Sequence, residues 1–494
     1  MARDVLRRGH SIPSIPVNIL KNSFPLLRLA LFSLPYLPCT MVAAQQPAPP
    51  PSAPIEPTPP AAAVAIPEPA AAPPAAPSFA APPPAAPLPA PAAPSEPPLT
   101  AASPPAPSIG SGAPATTQAS ALPDFVVAAG KGVIVTSADK RFQIGVRSRI
   151  QLRETFQKSD ELTQLESQVR TLRLGIAGYA LVPELKYLIQ FAFGANDFEN
   201  GNSSPIFDAF VEYTKQRDLN VRVGQFFVPF DRARTIREFA LQFVDRQGVV
   251  RELTLDRDVG IMLSSQDLFG WNTRLGYHLF VGGGDGRNRV ADVKNKYGPQ
   301  TPGVLVVGRL IARPFGAFDE DQEGDITRSP KPHLALGVAG AYNISTNRDH
   351  STYGATYTLG TFNYTHAAAD LVFKWHGFSL LTEFLYRKAN TEEHTGMVGT
   401  QTVTERSRSG YGYFAQLGQM VTSKLEVVAR AEKLWGTDRA LKELARTSGR
   451  QVGGGLNLYL NGHSFKLQSD YFYVFGDDIG KGSHVARLQL DASF

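Results

Sequence analysis

The chain of 494 residues contains a single cysteine, Cys39. Because Cys39 lies in a segment that resembles a secretory signal, we expect the mature chain to contain no cysteine. Disulfide scaffolds, thiol catalysis and cysteine metal sites are therefore excluded. The chain also lacks an uninterrupted run of about 18 apolar residues after residue 45, which excludes a bundle of transmembrane helices.

Motifs of enzyme chemistry are missing as well. The sequence has no G-x-S-x-G nucleophile motif, and its nine histidines show no neighbouring serine and aspartate arrangement. The glycine-rich stretch 282–286 follows a strand pattern, but no helix pattern follows it, so it is typical of a loop rather than a phosphate cradle. We therefore expect no enzyme activity, no cofactor, no metal site and no nucleic-acid partner.

The first 44 residues predict a secretory signal peptide. Basic residues are followed by an apolar stretch around Leu26–Leu37, and small residues precede Gln45. A membrane anchor is one alternative, which Pro35 within the short apolar stretch disfavours. Lipoprotein modification at Cys39 is another, and the tyrosine three residues before that cysteine disfavours it.

Residues 45–123 form a segment rich in proline and alanine. Of the 40 prolines in the chain, 27 lie between Pro47 and Pro123. Such a composition cannot bury enough apolar surface to fold, so it predicts a disordered, extended linker. One interpretation is a periplasmic arm that reaches toward the cell wall or a partner, and the other is a spacer without a specific role.

From Arg141 onward the hydrophobic pattern has a period of two. The first segment places Phe142, Ile144 and Val146 on one face, and polar residues such as Arg147 on the other. About sixteen segments of this kind follow one another between turn-like clusters. The segments near 353–365 and 395–415 are ambiguous, which leaves the count open by two.

Three features favour a membrane barrel over a soluble sandwich. Aromatic residues gather at the ends of the segments, as in the girdles at the two lipid interfaces. The polar faces carry many charges at mid-strand, which a water-filled lumen tolerates. The last strand alternates and ends with Phe494. We therefore predict an all-β fold, an antiparallel outer-membrane barrel of about 16 strands over residues 131–494, wide enough for an aqueous channel.

The lumen face of this predicted barrel is biased toward basic residues. Sorting strand positions by parity gives about fourteen lumen bases and eight lumen acids, a pattern that favours anions in a pore. The alternation breaks between Phe227 and Asp258, where a segment of mixed charge predicts either a constriction folded into the barrel or an exposed loop with surface salt bridges. The candidate pore-lining and anion-binding residues are Arg147, Arg149, Arg153, Arg173, Arg222, Arg232, Arg234, Arg237, Arg274 and Arg309.

Several runs in this part of the chain resemble the phosphate-selective porin O/P family. They are Arg170-Thr-Leu-Arg-Leu-Gly-Ile-Ala-Gly178, Asp208-Ala-Phe-Val-Glu-Tyr213, Val223-Gly-Gln-Phe-Phe-Val-Pro-Phe230 and Arg257-Asp258-Val-Gly-Ile261. The resemblance covers about residues 131–494. It implies a sixteen-stranded barrel, a homotrimer in contact with outer-membrane lipids, and uptake of phosphate or polyphosphate past inward arginines.

The resemblance implies a dense basic constriction in a phosphate-selective channel. Residues 231–257 of this chain instead carry a net charge of only +1. A general diffusion porin with a weak anion preference is therefore an alternative. A structural or adhesive barrel, tethered through the Pro/Ala arm, is another.

Overall fold

The computed structural model describes residues 123–194, 197–198, 204–288, 294–295, 298–299 and 303–494. The predicted signal peptide over residues 1–44 lies outside the described residues, as does all but the last residue of the predicted linker over 45–123.

Most of the described chain forms one continuous antiparallel sheet. Two short strands, β1 (Asp124–Ala128) and β2 (Gly132–Thr136), come first. Sixteen longer strands form the barrel: β3 (Phe142–Lys158), β4 (Thr163–Ala180), β5 (Val182–Ala192), β6 (Ile206–Gln216), β7 (Leu219–Phe227), β8 (Arg257–Ser265), β9 (Leu275–Gly282), β12 (Val304–Ala312), β13 (His333–Thr346), β14 (Phe362–Trp375), β15 (Phe378–Ala389), β18 (Gly410–Met420), β19 (Leu425–Gly436), β20 (Arg450–Asn461), β21 (Phe465–Phe475) and β22 (Ser483–Ser493).

The barrel is closed by pairing between its first and last strands. β22 pairs with β3 from His484↔Lys158 to Ser493↔Arg149, so each barrel strand has two neighbours. Two hairpins lie in loops, one formed by β10 (Lys294–Asn295) and β11 (Gly298–Pro299), the other by β16 (Glu393–Val398) and β17 (Gln401–Arg406). The predicted sixteen-stranded antiparallel barrel is confirmed.

Short helices occur only in connections between described strands. The α-helices are α1 (Arg232–Thr235), α2 (Gly248–Leu253) and α3 (Arg439–Ser448), and single 3-10 turns lie at Glu238–Ala240, Leu268–Gly270 and Ile479–Lys481. None of the helices in the described part of the chain is long and apolar enough to cross a membrane.

The two ends of the barrel differ in the length of their connections. The end that carries both Asp124 and Phe494 is called the turn side here, and most of its connections are short, such as 217–218 and 376–377. The opposite end is called the loop side and has long connections. One turn-side connection, residues 313–332 between β12 and β13, is an exception to the short pattern.

The outer surface of the wall is apolar. Outward side chains such as Val223, Ile261 and Val338 are about half exposed, whereas the inward Arg309 and Asp370 on neighbouring strands are buried. This alternation is expected of a strand with lipid on one side and a polar interior on the other.

The barrel interior contains an apolar core on one side. Residues 228–256, which connect β7 to β8, enter the lumen and bury Phe230 and Leu253 against wall residues that include Leu385 and Phe414. The remaining space therefore lies toward the other side of the barrel.

Candidate functional site

The segment 228–256 is called the constriction loop here. Its first turn, α1, is capped by Asp231, whose carboxylate accepts a hydrogen bond from the backbone N–H of Arg234 at 2.7 Å. Val228, Ile236 and Val250 are almost completely buried. The segment therefore folds into the barrel, as one of the two predictions stated, and it is not the exposed loop of the other prediction.

A buried cluster anchors the constriction loop to the barrel wall. Asp370 of β14 accepts hydrogen bonds from Arg232 Nε and from Arg309 Nη2, each at 2.6 Å, and its side chain is fully buried. Arg309 Nη1 also donates to the Phe230 carbonyl at 2.9 Å, and Glu320 lies 3.1 Å from Arg232 Nη1. Arg232 and Arg309, predicted from sequence to contact solute, are engaged in holding the loop in place.

Glu252 of α2 forms a second attachment. Its carboxylate accepts from Arg387 Nη2 at 2.9 Å and from Arg408 Nη2 at 2.7 Å, and it lies 3.3 Å from His350 Nε2. Burial alone would raise the pKa of Glu252, but its hydrogen bonds to His350 and Arg408 hold that pKa well below its usual range. The constriction loop is thus tied to β15 and to two loop-side connections.

His350 makes this attachment sensitive to pH. Burial alone would lower its pKa, but hydrogen bonds to Asp349 and Glu252 raise it above the ordinary value. The stability contributed by the charged imidazole is fully present below about pH 6.5 and is lost as pH rises through the raised folded-state pKa.

We expect hydrogen exchange of backbone amides in residues 347–361 to speed up between about pH 6 and pH 9, after correction for intrinsic rates. His350→Gln should remove this difference. His484→Gln is the control, because His484 is exposed and its hydrogen bond is to Tyr471, outside the constriction loop. An unchanged pH response in His350→Gln would contradict the assignment.

The turn-side connection 313–332 is called the inner segment here, because it enters the lumen from the turn side. Glu323 accepts hydrogen bonds from the backbone N–H of Gln242 and from Gln416 Nε2, both at 2.7 Å. Glu320 pairs with Arg313 as well as with Arg232. The sequence analysis did not identify this segment, although its run Asp319-Glu-Asp-Gln-Glu-Gly-Asp325 is unusually acidic for a turn.

Three adjoining cavities lie beside the constriction loop. A loop-side cavity of about 580 Å³ and a turn-side cavity of about 910 Å³ are separated by a narrow cavity of about 100 Å³. The narrow cavity shares Glu238 and Arg246 with the first, and Asp208, Phe227, Arg237 and Phe239 with the second. This series of cavities is the candidate solute path.

The narrow cavity is lined by six arginines: Arg147, Arg149, Arg173, Arg237, Arg246 and Arg257. Most of them are engaged. Arg149 Nε donates to Asp491 at 2.8 Å, Arg173 lies 3.0 Å from Glu238, and Arg257 Nε donates to Asp208 at 2.7 Å. Arg246 donates to the backbone carbonyls of Ala233 and Ile236.

Arg147 and Arg237 differ from these four. Within the described part of the chain, the side chain of neither residue has an ion-pair or hydrogen-bond partner. Burial lowers the pKa of Arg237, as expected for a cation held without a bonded counter-ion. A guanidinium nevertheless stays charged at neutral pH. Two of the predicted residues therefore present positive charge without a bonded counter-ion to the narrow cavity.

The other predicted arginines have different surroundings. Arg153 pairs with Asp245 at 3.0 Å, Arg222 with Glu212 at 2.9 Å, and Arg234 with Asp256 at 2.5 Å.

Arg274 was assigned to the lumen by parity, but it precedes the first paired residue of β9, Leu275, and is exposed at the rim. The alternation rule does not apply there, because it holds only within a paired strand.

Arg170 lines the loop-side cavity and was not predicted. It lies at a β-bulge, where Gln151 pairs with Thr171 and Leu152 with Val169. A bulge breaks the alternation of faces, so parity gave no signal for this residue.

Several solved structures are similar to the chain at low sequence identity. The chain is similar to OmpF of Salmonella typhi, solved in complex with daunomycin (10% identity, 72% of this chain and 98% of that chain, TM-score 0.47). It is similar to an anion-selective porin from Comamonas acidovorans (11%, 71% and 99%, TM-score 0.45) and to the outer membrane channel DcaP of Acinetobacter baumannii (13%, 72% and 97%, TM-score 0.45). No curated protein sequence matches the chain.

The family comparison agrees with the runs singled out in the sequence, since it matches the stretch that contains β3 to β9 and the constriction loop. Together with the closed sixteen-stranded barrel, this match places the protein in the bacterial outer membrane as a channel. The resemblance is confirmed over residues 141–296, which match the family described as phosphate-selective porin O and P.

Proposed function

We propose that the channel passes small anions of the phosphate class by passive diffusion. The observation that carries the proposal is the pair of unpaired arginines, Arg147 and Arg237, at the narrow cavity. A positive charge that lines a narrow pore attracts anions and repels cations. The planar guanidinium fork also donates two parallel hydrogen bonds to a phosphate or carboxylate, which suits it to oxyanions.

The second candidate function is a general diffusion channel with only a weak preference for anions, and the pairing of charges at the narrow cavity supports it. At the same narrow cavity, a carboxylate forms an ion pair with each of three arginines, Arg149, Arg173 and Arg257. An arginine that is already paired contributes little net field at the solute path. We therefore infer a channel that favours anions through the arginines of this cavity without a carboxylate partner, Arg147, Arg237 and Arg246, rather than through the whole arginine lining.

We further propose that the protein assembles as a homotrimer with its turn side toward the periplasm. The family resemblance supports the trimer, and the short connections of the turn side match the periplasmic turns of outer-membrane barrels. The mass of the complex in mild detergent tests this assembly, and a monomeric mass would contradict it.

The reversal potential in a planar bilayer under a salt gradient tests the anion preference. The reversal potential of wild-type channels should have the sign that indicates anion selectivity. Arg237→Gln should lower the ratio of anion to cation permeability. One charge about 6 Å from the ion path in a water-like medium shifts the energies of an anion and a cation by about 0.7 kcal/mol each, in opposite directions. With partial screening by about 0.1 M salt, we expect roughly a threefold decrease in the ratio.

Arg446→Gln is the matched control, since it removes the same charge from the exposed surface of α3, outside the three cavities. It should leave the permeability ratio unchanged. A cation-selective wild-type channel would overturn the proposed function.

A further inference from the structure

We propose that the channel conducts asymmetrically, with a higher conductance when the turn-side compartment is electrically positive, and that Asp319 and Asp321 of the inner segment determine this asymmetry. The inference rests on the proposed anion preference and deepens it. Its basis is a difference in unpaired charge between the two wide cavities.

The loop-side cavity has an excess of unpaired positive charge. In the described part of the chain, four of its arginines have no carboxylate within ion-pair distance, namely Arg170, Arg246, Arg251 and Arg430. Arg430 Nη1 donates to the Asp245 carbonyl at 3.0 Å, but a backbone carbonyl does not neutralise the charge. Glu166 is the only acid of this cavity without a basic partner among the described residues.

The turn-side cavity is balanced instead. Its inward arginines have carboxylate partners, because Arg222 pairs with Glu212, Arg309 pairs with Asp370, and Arg232 pairs with both Asp370 and Glu320. The charged residues of this cavity without an opposite partner among the described residues are Lys186, Arg237, Asp267, Asp319 and Asp321. Two bases therefore face three acids.

The inner segment holds Asp319 and Asp321 at this exit. Lys374 Nζ donates to the backbone carbonyls of Asp319 and Gln322, each at 2.7 Å. Glu320, which lies between the two aspartates, is engaged with Arg232 in the anchoring cluster. The two neighbouring carboxylates are exposed and line the turn-side cavity.

Such an arrangement behaves as a diode for ions. Anions are the main carriers in a positively charged zone, whereas a balanced or negative zone also admits cations. When the turn side is positive, anions enter from the loop-side cavity and cations from the turn-side cavity, so mobile ions accumulate where the zones meet. The opposite voltage withdraws both from that junction and lowers the conductance.

Single-channel current–voltage curves in symmetric salt test the inference. At about 0.1 M salt, where charges act over about 10 Å, we expect currents to differ about 1.5- to 2-fold between about +100 and −100 mV. The recordings belong at about pH 8, because partial desolvation inside the lumen and the neighbouring Glu320 raise the pKa of Asp321. At about 1 M salt the difference should vanish, because the charges then act over only about 3 Å.

The double variant Asp319→Asn/Asp321→Asn should bring the current ratio close to one, since it leaves two bases, Lys186 and Arg237, against one acid, Asp267, and so makes both wide cavities positive. The control Asp477→Asn/Asp478→Asn removes the same charge from exposed loop-side positions outside the three cavities and should keep the wild-type ratio. The orientation of the channel in the bilayer is determined separately. A variant with Asp160→Cys and Cys39→Ser is labelled with biotin at the new loop-side cysteine, and streptavidin added to one chamber then shows whether the loop side faces that chamber.

Symmetric currents in the wild-type channel at low salt, the opposite polarity, or a double variant that rectifies like wild type would each overturn the inference. The reversal potential of the same channels separates the two proposals. Anion selectivity with symmetric currents overturns the asymmetry alone, whereas cation selectivity overturns the proposed function.

Discussion

Replacing both Arg147 and Arg237 with glutamate should convert the channel from anion-preferring to cation-preferring. The double variant changes four units of charge at the narrow cavity, where the charges of Arg149, Arg173 and Arg257 are already matched by carboxylates. At about 0.7 kcal/mol for each charge, and with partial screening by salt, we expect the permeability ratio to change by about 10- to 100-fold.

The reversal potential measures this change, and its sign should invert. The control is Arg439→Glu/Arg446→Glu, which changes the charge by the same amount on exposed positions of α3. A double variant that folds, conducts and stays anion-selective would show that other arginines, such as Arg246, set the selectivity.

Asp370→Asn should both destabilise the barrel and widen the path. This substitution leaves Arg232 and Arg309 buried without the shared carboxylate that accepts from both at 2.6 Å. Removing one partner from a buried ion pair typically costs about 3–5 kcal/mol, because the remaining charge is left uncompensated. We expect a decrease of this size in the free energy of unfolding in lipid, and a larger single-channel conductance as the constriction loop detaches.

Asp218→Asn is the matched control, because Asp218 also pairs with an arginine, Arg217 at 2.6 Å, but both side chains are exposed. Exposed pairs contribute about 0–1 kcal/mol, so this variant should be close to wild type. If Asp370→Asn keeps the wild-type stability and conductance, the apolar contacts of Phe230 and Leu253 hold the loop without the ionic anchor.

The barrel was predictable because its signal is repeated in every strand. Alternation follows from the geometry of the extended chain, and the last strand adds Phe494 at its end. The ambiguous stretches 353–365 and 395–415 prove to be loops that lead into strands at Phe362 and Gly410, with the hairpin β16–β17 in the second loop. The hairpin β1–β2 was not predicted, because two five-residue strands carry too little periodicity.

The interior was less predictable, because partners come from distant parts of the chain. Parity places Arg309 on the lumen face, but no local pattern shows that Asp370 neutralises it. The position of residues 231–257 depends on apolar contacts with β15 and β18, which sequence spacing does not encode. The arginine content of the lumen was thus readable from sequence, whereas the few arginines that stay free required the three-dimensional pairing.

The hairpin β1–β2 has a consequence for the diameter of the channel. β2 and β22 share the same edge of β3: Val133 of β2 pairs with Val146, and the backbone of Phe494 exchanges hydrogen bonds with Ser148 at 2.9 and 3.0 Å. The last strand therefore has no room to slide toward the turn side, because β2 already occupies the adjoining positions. Strand stagger fixes the shear of a barrel, and shear together with strand number fixes its radius. The hairpin therefore limits the register of the closing pair β3–β22, and through that register it helps to set the radius of the channel.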